Sequence, residues 1–472
     1  MVQIRSARQG LGPEPASRAP ESRRETPMHQ PIPLRDLSRN TLFGSGDILV
    51  LFGELFGRGY ATGLVDAARA AGMTILGITV GRRDDDGALR PLTEDELAQA
   101  EANLGGRIVN IPLMAGFDMD APSGEPTPTD MLREMTLDNW QEFKLDWDRI
   151  AESRAIGTAR FEAALESAMT ELDALIPDGS NVLFAHTMAG GIPRAKAFLA
   201  IANRVYKGRG DRYLSSDALL ASDLGKLILQ NFDDVTAHSF GHLLNGSAQI
   251  RQRIEATGGA VRYLAYGYHG TRILNDGEYR WQTYTSYTQG YAKMRLEKLA
   301  QDAWDAGIAA TVYNCPEIRT NSSDVFAGIE LSLLPLLQAV RHEGGGPYTD
   351  EIWQRCEALL RDDVTLEDVL KIVGDYHDDP VIQSFNDFDA WPMANSAEQV
   401  ERTVGTSQQI VALHRDRKHL VSDLLSSLVV DATGNIMLAA SNDPEGPVRW
   451  LDHEHVARQI TSKEAPGDSR PV

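Results

Sequence analysis

The chain has 472 residues, 42% of them hydrophobic, with 67 Asp and Glu against 46 Lys and Arg, a formal net charge of −21. So acidic a surface argues against nucleic acid and anionic membranes as partners, and no run of eighteen apolar residues offers a membrane span. Two scattered cysteines, Cys315 and Cys356, exclude a disulfide framework and suit free thiols in the cytoplasm.

Residues 1–27 are rich in Pro, Arg, Ser and Glu and have no apolar stretch, so residues 1–34 are expected to be disordered, with Met28 a candidate start. Regular patterning begins with "DILVLF" (47–52), a short buried strand, followed by the glycine-rich "GELFGRG". Helical spacing follows over 60–72, then strands at "MTILGITV" (73–80) and "RIVNIPL" (107–113). Residues 114–145 leave that pattern, and a long helix is expected from Trp147 to Leu175. A fourth strand, "NVLFAHTMAGG" (181–191), leads into a helical insertion over 193–256, and a fifth follows at "VRYLAYGY" (261–268). The Tyr-rich stretch "TYTSYTQGYAK" (283–293), a helix and a sixth strand, "AATVYN" (309–314), complete the repeat. A single apolar helix is expected over 324–340, then short helices and a hairpin, "LVVDATGNIMLAA" (428–440), turning at Thr433-Gly434-Asn435. Strands alternating with helices at this interval predict an α/β fold: a Rossmann-like doubly wound parallel sheet with helical insertions and a C-terminal extension. The expected divisions are a nucleotide-binding domain over 35–345 and a helical extension with its hairpin over 346–472.

Gly53, Gly57 and Gly59 form G-x-x-x-G-x-G between the first strand and its helix. A tight turn that lets backbone N–H groups approach a pyrophosphate needs residues without Cβ, and the helix start behind it favours an anion. The second strand ends in Gly81-Arg82-Arg83. Arginine at that place suits a ribose 2′-phosphate, so Arg82 and Arg83 point to NADPH, with NADH possible and Asp84-Asp85-Asp86 as counter-evidence.

These landmarks resemble the short-chain dehydrogenase/reductase superfamily. "HTMAGG" (186–191) sits where its Asn-Asn-Ala-Gly motif follows strand four, which implies cofactor contacts from Ala189 and Gly190. "AYGYHG" (265–270) looks like the first-tyrosine motif of enoyl-acyl-carrier-protein reductases, and "PEIRT" (316–320) like their Pro-Ile-Arg-Thr segment, which implies cofactor contacts from Ile318 and Thr320. Within that branch the chain is most similar to the large triclosan-tolerant enzymes of FabV and FabMG type. The FabMG resemblance is the stronger, through "IPLRDLSRNTLFG", "FAHTMAGGIP" and "NCPEIRTNSSD". It departs from the superfamily at His186-Thr187, which replace the Asn-Asn pair, and in its long C-terminal region.

Simple members of the superfamily place Tyr four residues before Lys, and the smaller enoyl reductases seven, so that both share a helical face. Here those positions before Lys293 are Gln289 and Ser286, neither of them a phenol. A working tyrosine must come from irregular chain ahead of the helix. Tyr284 has the nine-residue separation of the FabV-type enzymes, and Tyr287 is the other candidate. The resemblance implies hydride transfer to the β-carbon of a trans-2-enoyl thioester on acyl carrier protein or coenzyme A, in fatty acid biosynthesis. A phenol would steady the enolate oxygen, Lys293 would hold the nicotinamide ribose, and Tyr268 would be a second donor or shape the pocket. Two other readings stay open. An NADPH-dependent carbonyl or 3-oxoacyl reductase would use the same cofactor but normally needs a serine and the four-residue spacing. A nucleotide-sensing scaffold would bind without chemistry. His238 and His242 stand four apart without a third ligand at metal spacing. Acyl-chain length and oligomeric state are not written in the sequence.

Overall fold

The computed structural model describes residues 33–34, 37, 40–53, 59–84, 87–190, 196–284, 286–320, 323, 325–387 and 394–462. Gly57 lies outside them. The strands are β1 (Ile48–Phe52), β2 (Thr74–Ile78), β3 (Arg107–Val109), β4 (Val182–His186), β5 (Val261–Tyr266), β6 (Ala310–Asn314) and β7 (Val448–Trp450). They form one sheet in the order β7-β6-β5-β4-β1-β2-β3, every pairing parallel. This is the doubly wound order, in which the chain works outward from β1 to one edge and then restarts at β4 toward the other.

The sides of β1 show why the sheet must be covered twice. Leu49 and Leu51 join one buried cluster, while Ile48, Val50 and Phe52 join another, as the two-residue period of a strand requires. On the second face lie α2 (Trp147–Leu175), which gives Phe161, Leu165 and Leu172, and α3 (Gln289–Asp305), which gives Leu296 and Ala300. On the first face α1 (Tyr60–Ala70) packs against α4 (Val421–Ser441). A third cluster, built by the insertion helices Lys196–Lys207 and Asp223–Phe232, abuts the tyrosine-rich segment.

Three expectations need correction. The stretch 428–440 is not a hairpin but the middle of α4. Gly434 is there for close approach rather than a turn: a Cβ on it would lie 2.1 Å from the Gly63 carbonyl carbon, and one on Gly63 1.9 Å from the Val430 oxygen. Two helices crossing backbone to backbone need glycine on both sides. The true hairpin pairs Gly270–Asn275 with Glu278–Thr283 through Asp276-Gly277, both at positive φ. The helix expected over 324–340 is two pieces, Ile329–Leu333 and Leu336–Glu343, separated by Pro335, which has no N–H to continue the ladder. Finally, α4 is long and apolar enough to cross a membrane, where no such span was expected; most of its apolar stretch is buried in the protein.

The region beyond 346 is woven into the sheet. β7 extends it beside β6, and Arg272 of the hairpin reaches the fully buried Asp452 at 2.7 Å.

Candidate active site

The chain reverses direction across the sheet between β1 and β4, and ligands in such folds settle at the carboxyl ends of those strands. There Gly53 has φ 127, and a Cβ on it would stand 2.5 Å from Met188 Cγ and 2.8 Å from Met188 N. The turn after β1 and the turn after β4 are thus nested, and Thr187 N also donates to Phe52 O at 2.9 Å. Gly59 is the N-cap of α1, without a side-chain cap, and a helix start of this kind favours an anion. Ala189 and Gly190 follow Met188. Gly190 has φ 115, and its carbonyl accepts from Thr236 Oγ1 at 3.3 Å. Gly53, packed on Met188, and Gly59 at the start of α1 offer Cβ-free backbone, a cradle that fits a dinucleotide pyrophosphate. Arg82 and Arg83 lie just past β2 in a small ladder with Leu89–Arg90. Arg82 Nη1 donates to Gly81 O at 3.3 Å and Arg83 Nη1 to Gly87 O at 2.7 Å.

Two sequence-selected groups converge on the ends of β5 and β6. Lys293 is buried near the start of α3 and its Nζ donates to Tyr266 O, the last residue of β5, at 2.5 Å. Tyr284 is buried in irregular chain ahead of α3, and its hydroxyl donates to the carbonyl of Cys315, the residue after β6. Tyr268 lies against it, ring centroids 4.8 Å apart. Tyr287 points elsewhere, into rings of Tyr206, Phe232 and Phe326 at 5.3, 6.0 and 5.2 Å. Val325, Phe326 and Ile329 belong to this cluster, whereas Leu333, Leu336 and Val340 are core. Ile318 is buried in the first-face core, and Thr320 is tied through its N–H to Ser323 Oγ at 2.8 Å.

Burial sets the electrostatics. It lowers the Lys293 ammonium to about 8, against a partial recovery from Cys315 and Glu297. It pushes the Tyr284 phenol well above its usual value, with Tyr60, Glu317 and Cys315 adding to the effect. Tyr268 is raised in the same way, first by burial and then by Glu317. His186, which stands in the place of a superfamily asparagine, is fully buried, bonded to Ser239 Oγ at 2.7 Å, and held at about 3 by burial and then by the Lys293 charge. It is a neutral ring at any working pH. His238 is held by Asp234 at 2.7 Å, and no group of three metal-ligating side chains occurs among the described residues.

Sequence reasoning passed over Tyr60 and Glu317. Tyr60, the first residue of α1, stacks on Tyr266 at 5.5 Å and donates its hydroxyl to Pro316 O. Glu317 is 4% exposed and accepts from Tyr268 Oη at 2.7 Å. Its one sequence signal was an acid three residues past a buried strand, inside "CPEIRT".

Sheet order, glycine cradle and buried lysine define a Rossmann-fold, nicotinamide-dependent oxidoreductase. The family model described as enoyl-acyl carrier protein reductase FabMG matches residues 30–460, so the chain belongs to the FabMG family of enoyl-acyl carrier protein reductases, which transfer hydride from NAD(P)H to an enoyl thioester in fatty acid synthesis. A structure described as apo FabMG is 60% identical, with 93% of this chain and 99% of that one covered and a TM-score of 0.90. A FabMG structure described as NADH-bound is 52% identical, covers 92% and 100%, and has a TM-score of 0.75. No curated protein matches.

Proposed function

We propose that Tyr284 and Lys293 are the working pair of this reductase, with an enoyl thioester of acyl carrier protein as substrate. The observation that carries the reading is their meeting at adjacent strand ends: Lys293 Nζ on the last carbonyl of β5 and Tyr284 Oη on the carbonyl just past β6. The bound cofactor supplies the hydride. Gly53, Gly59, Ala189 and Gly190 would hold its pyrophosphate, Lys293 its ribose hydroxyls, and the Ile318–Thr320 segment its carboxamide side. Gly57 belongs to the same motif.

As the β-carbon is reduced, charge collects on the thioester oxygen. Tyr284 exchanges the Cys315 carbonyl for that oxygen, a donor fixed in place before the charge appears. Tyr268, stacked beside it, is the second donor. Tyr287 shapes the acyl pocket together with Phe326 and Ile329. Water is kept from the site by the same burial that raises the phenols.

NADH, the cofactor of the similar FabMG structure, and NADPH both suit the cradle; Arg82 and Arg83 favour the 2′-phosphate of NADPH. Resemblance to the triclosan-tolerant enzymes supports turnover that survives triclosan, and the acidic, largely apolar-cored chain suits the cytoplasm. The test is oxidation of each reduced nicotinamide with crotonyl thioesters of acyl carrier protein and coenzyme A, with acetoacetyl thioester alongside and triclosan added. Turnover of the enoyl substrate alone is expected. Turnover of acetoacetyl thioester alone, or binding without turnover, defeats the reading.

A further inference from the structure

The hydride step leaves one part of the site without a task, the carboxyls behind the tyrosines. Glu317 accepts from Tyr268 Oη at 2.7 Å. Facing it from other elements are Tyr60 of α1, Tyr284 from the segment ahead of α3, Glu330 and Ser332 of the Ile329–Leu333 helix, and Tyr376 of the helix Leu366–His377. Glu330 is itself 8% exposed, and its Oε1 has no hydrogen-bond partner among the described residues. A carboxyl so deeply buried ionises only at a cost, and a second carboxylate beside it adds to that cost. Burial, and secondarily Glu330, raise Glu317 to about 7 against the pull of Tyr268 and Ser332.

Reduction needs such a proton. Hydride forms a C–H bond at the β-carbon, the π electrons move onto the thioester oxygen, and the resulting enolate must gain one proton at the α-carbon. We propose that Glu317 is the proton reserve of Tyr268, returning a proton to that phenol after it has donated one to the reduced thioester. The Tyr268 O–H breaks as the substrate is protonated. The Glu317 O–H then breaks as the phenol O–H re-forms, and a solvent proton restores the carboxyl. The inference rests on the enoyl-reducing reading above. Because Glu317 acts through Tyr268, it is a positioning and proton-returning residue.

Glu317→Gln keeps the shape but cannot pass a proton. It is expected to lower kcat by about 10- to 100-fold with little change in KM for the nicotinamide. It should also abolish the fall in kcat expected of the wild type as pH rises through about 7. Glu317→Asp should recover part of kcat and restore that fall. An infrared titration of the wild type should show a buried carboxyl losing its proton near the same pH, which decides the question if the variants fail to fold. Wild-type kcat and pH profile in Glu317→Gln, or no such titration, overturns the role of Glu317 while leaving the function intact. A wild type with no enoyl turnover overturns both.

Discussion

Lys293 is the residue proposed to hold the cofactor's ribose, and two outcomes follow from its burial. Lys293→Met should remove turnover, by at least about 100-fold, while circular dichroism and melting stay near wild type, since a methionine fills the same buried space. Its ammonium is lowered to about 8 by burial, so nicotinamide binding should weaken as pH rises through that value and hold below it. Tyr284→Phe should cut kcat about 100-fold, whereas Tyr287→Phe, altering a side chain packed among rings, should move KM for long-chain substrates more than kcat. Glu317 also bears on stability. Its folded value, about 7, lies above that of an unfolded glutamate, so the native state is the one that binds the proton, and stability falls as pH rises from about 4.5 to 7. Glu317→Gln should therefore be more stable than wild type at pH 8, by up to the order of 3 kcal/mol in denaturant unfolding. At this scale the residue types were legible, Tyr and Lys being conspicuous before a helix, but that Tyr284 reaches the Cys315 carbonyl while Tyr287 packs among rings needed coordinates. A lone glutamate in a loop reads as surface charge, and its place just past a buried strand is too weak a signal to say that it is buried.

At the scale of elements, the strands of the parallel sheet were readable because both of their faces are apolar, while helix α4 was not. Its run of β-branched residues with Thr-Gly-Asn in the middle mimics two strands and a turn, and the reason for Gly434 lies nearly four hundred positions away, at Gly63. The hairpin that does exist carries Asp276-Gly277, the dipeptide suited to left-handed turn positions. Gly63→Ala and Gly434→Ala should each cost more than about 2 kcal/mol in denaturant unfolding, because the new methyl meets backbone that cannot yield without separating α1 from α4. α1 begins at the phosphate cradle, so cofactor affinity should fall with stability in the same variants.

At the scale of the whole molecule, the doubly wound parallel sheet followed from the alternation of strands with helices, and the cradle and the tyrosines lie at the carboxyl ends of its strands. The seventh strand was not foreseen. Three residues, Val448–Trp450, carry no pattern of their own, and only the open side of β6 makes them a strand. Removing residues 445–472 should leave no soluble, cooperatively unfolding protein, since it uncovers the edge of β6 and strips Arg272 of its buried partner Asp452.

That late strand also sets a timetable. A ribosome releases β6 long before β7, and roughly 130 residues must be made before the two can pair. The nascent protein therefore passes much of its synthesis with a raw sheet margin beside its future catalytic groups, the interval in which a holding chaperone would be most needed.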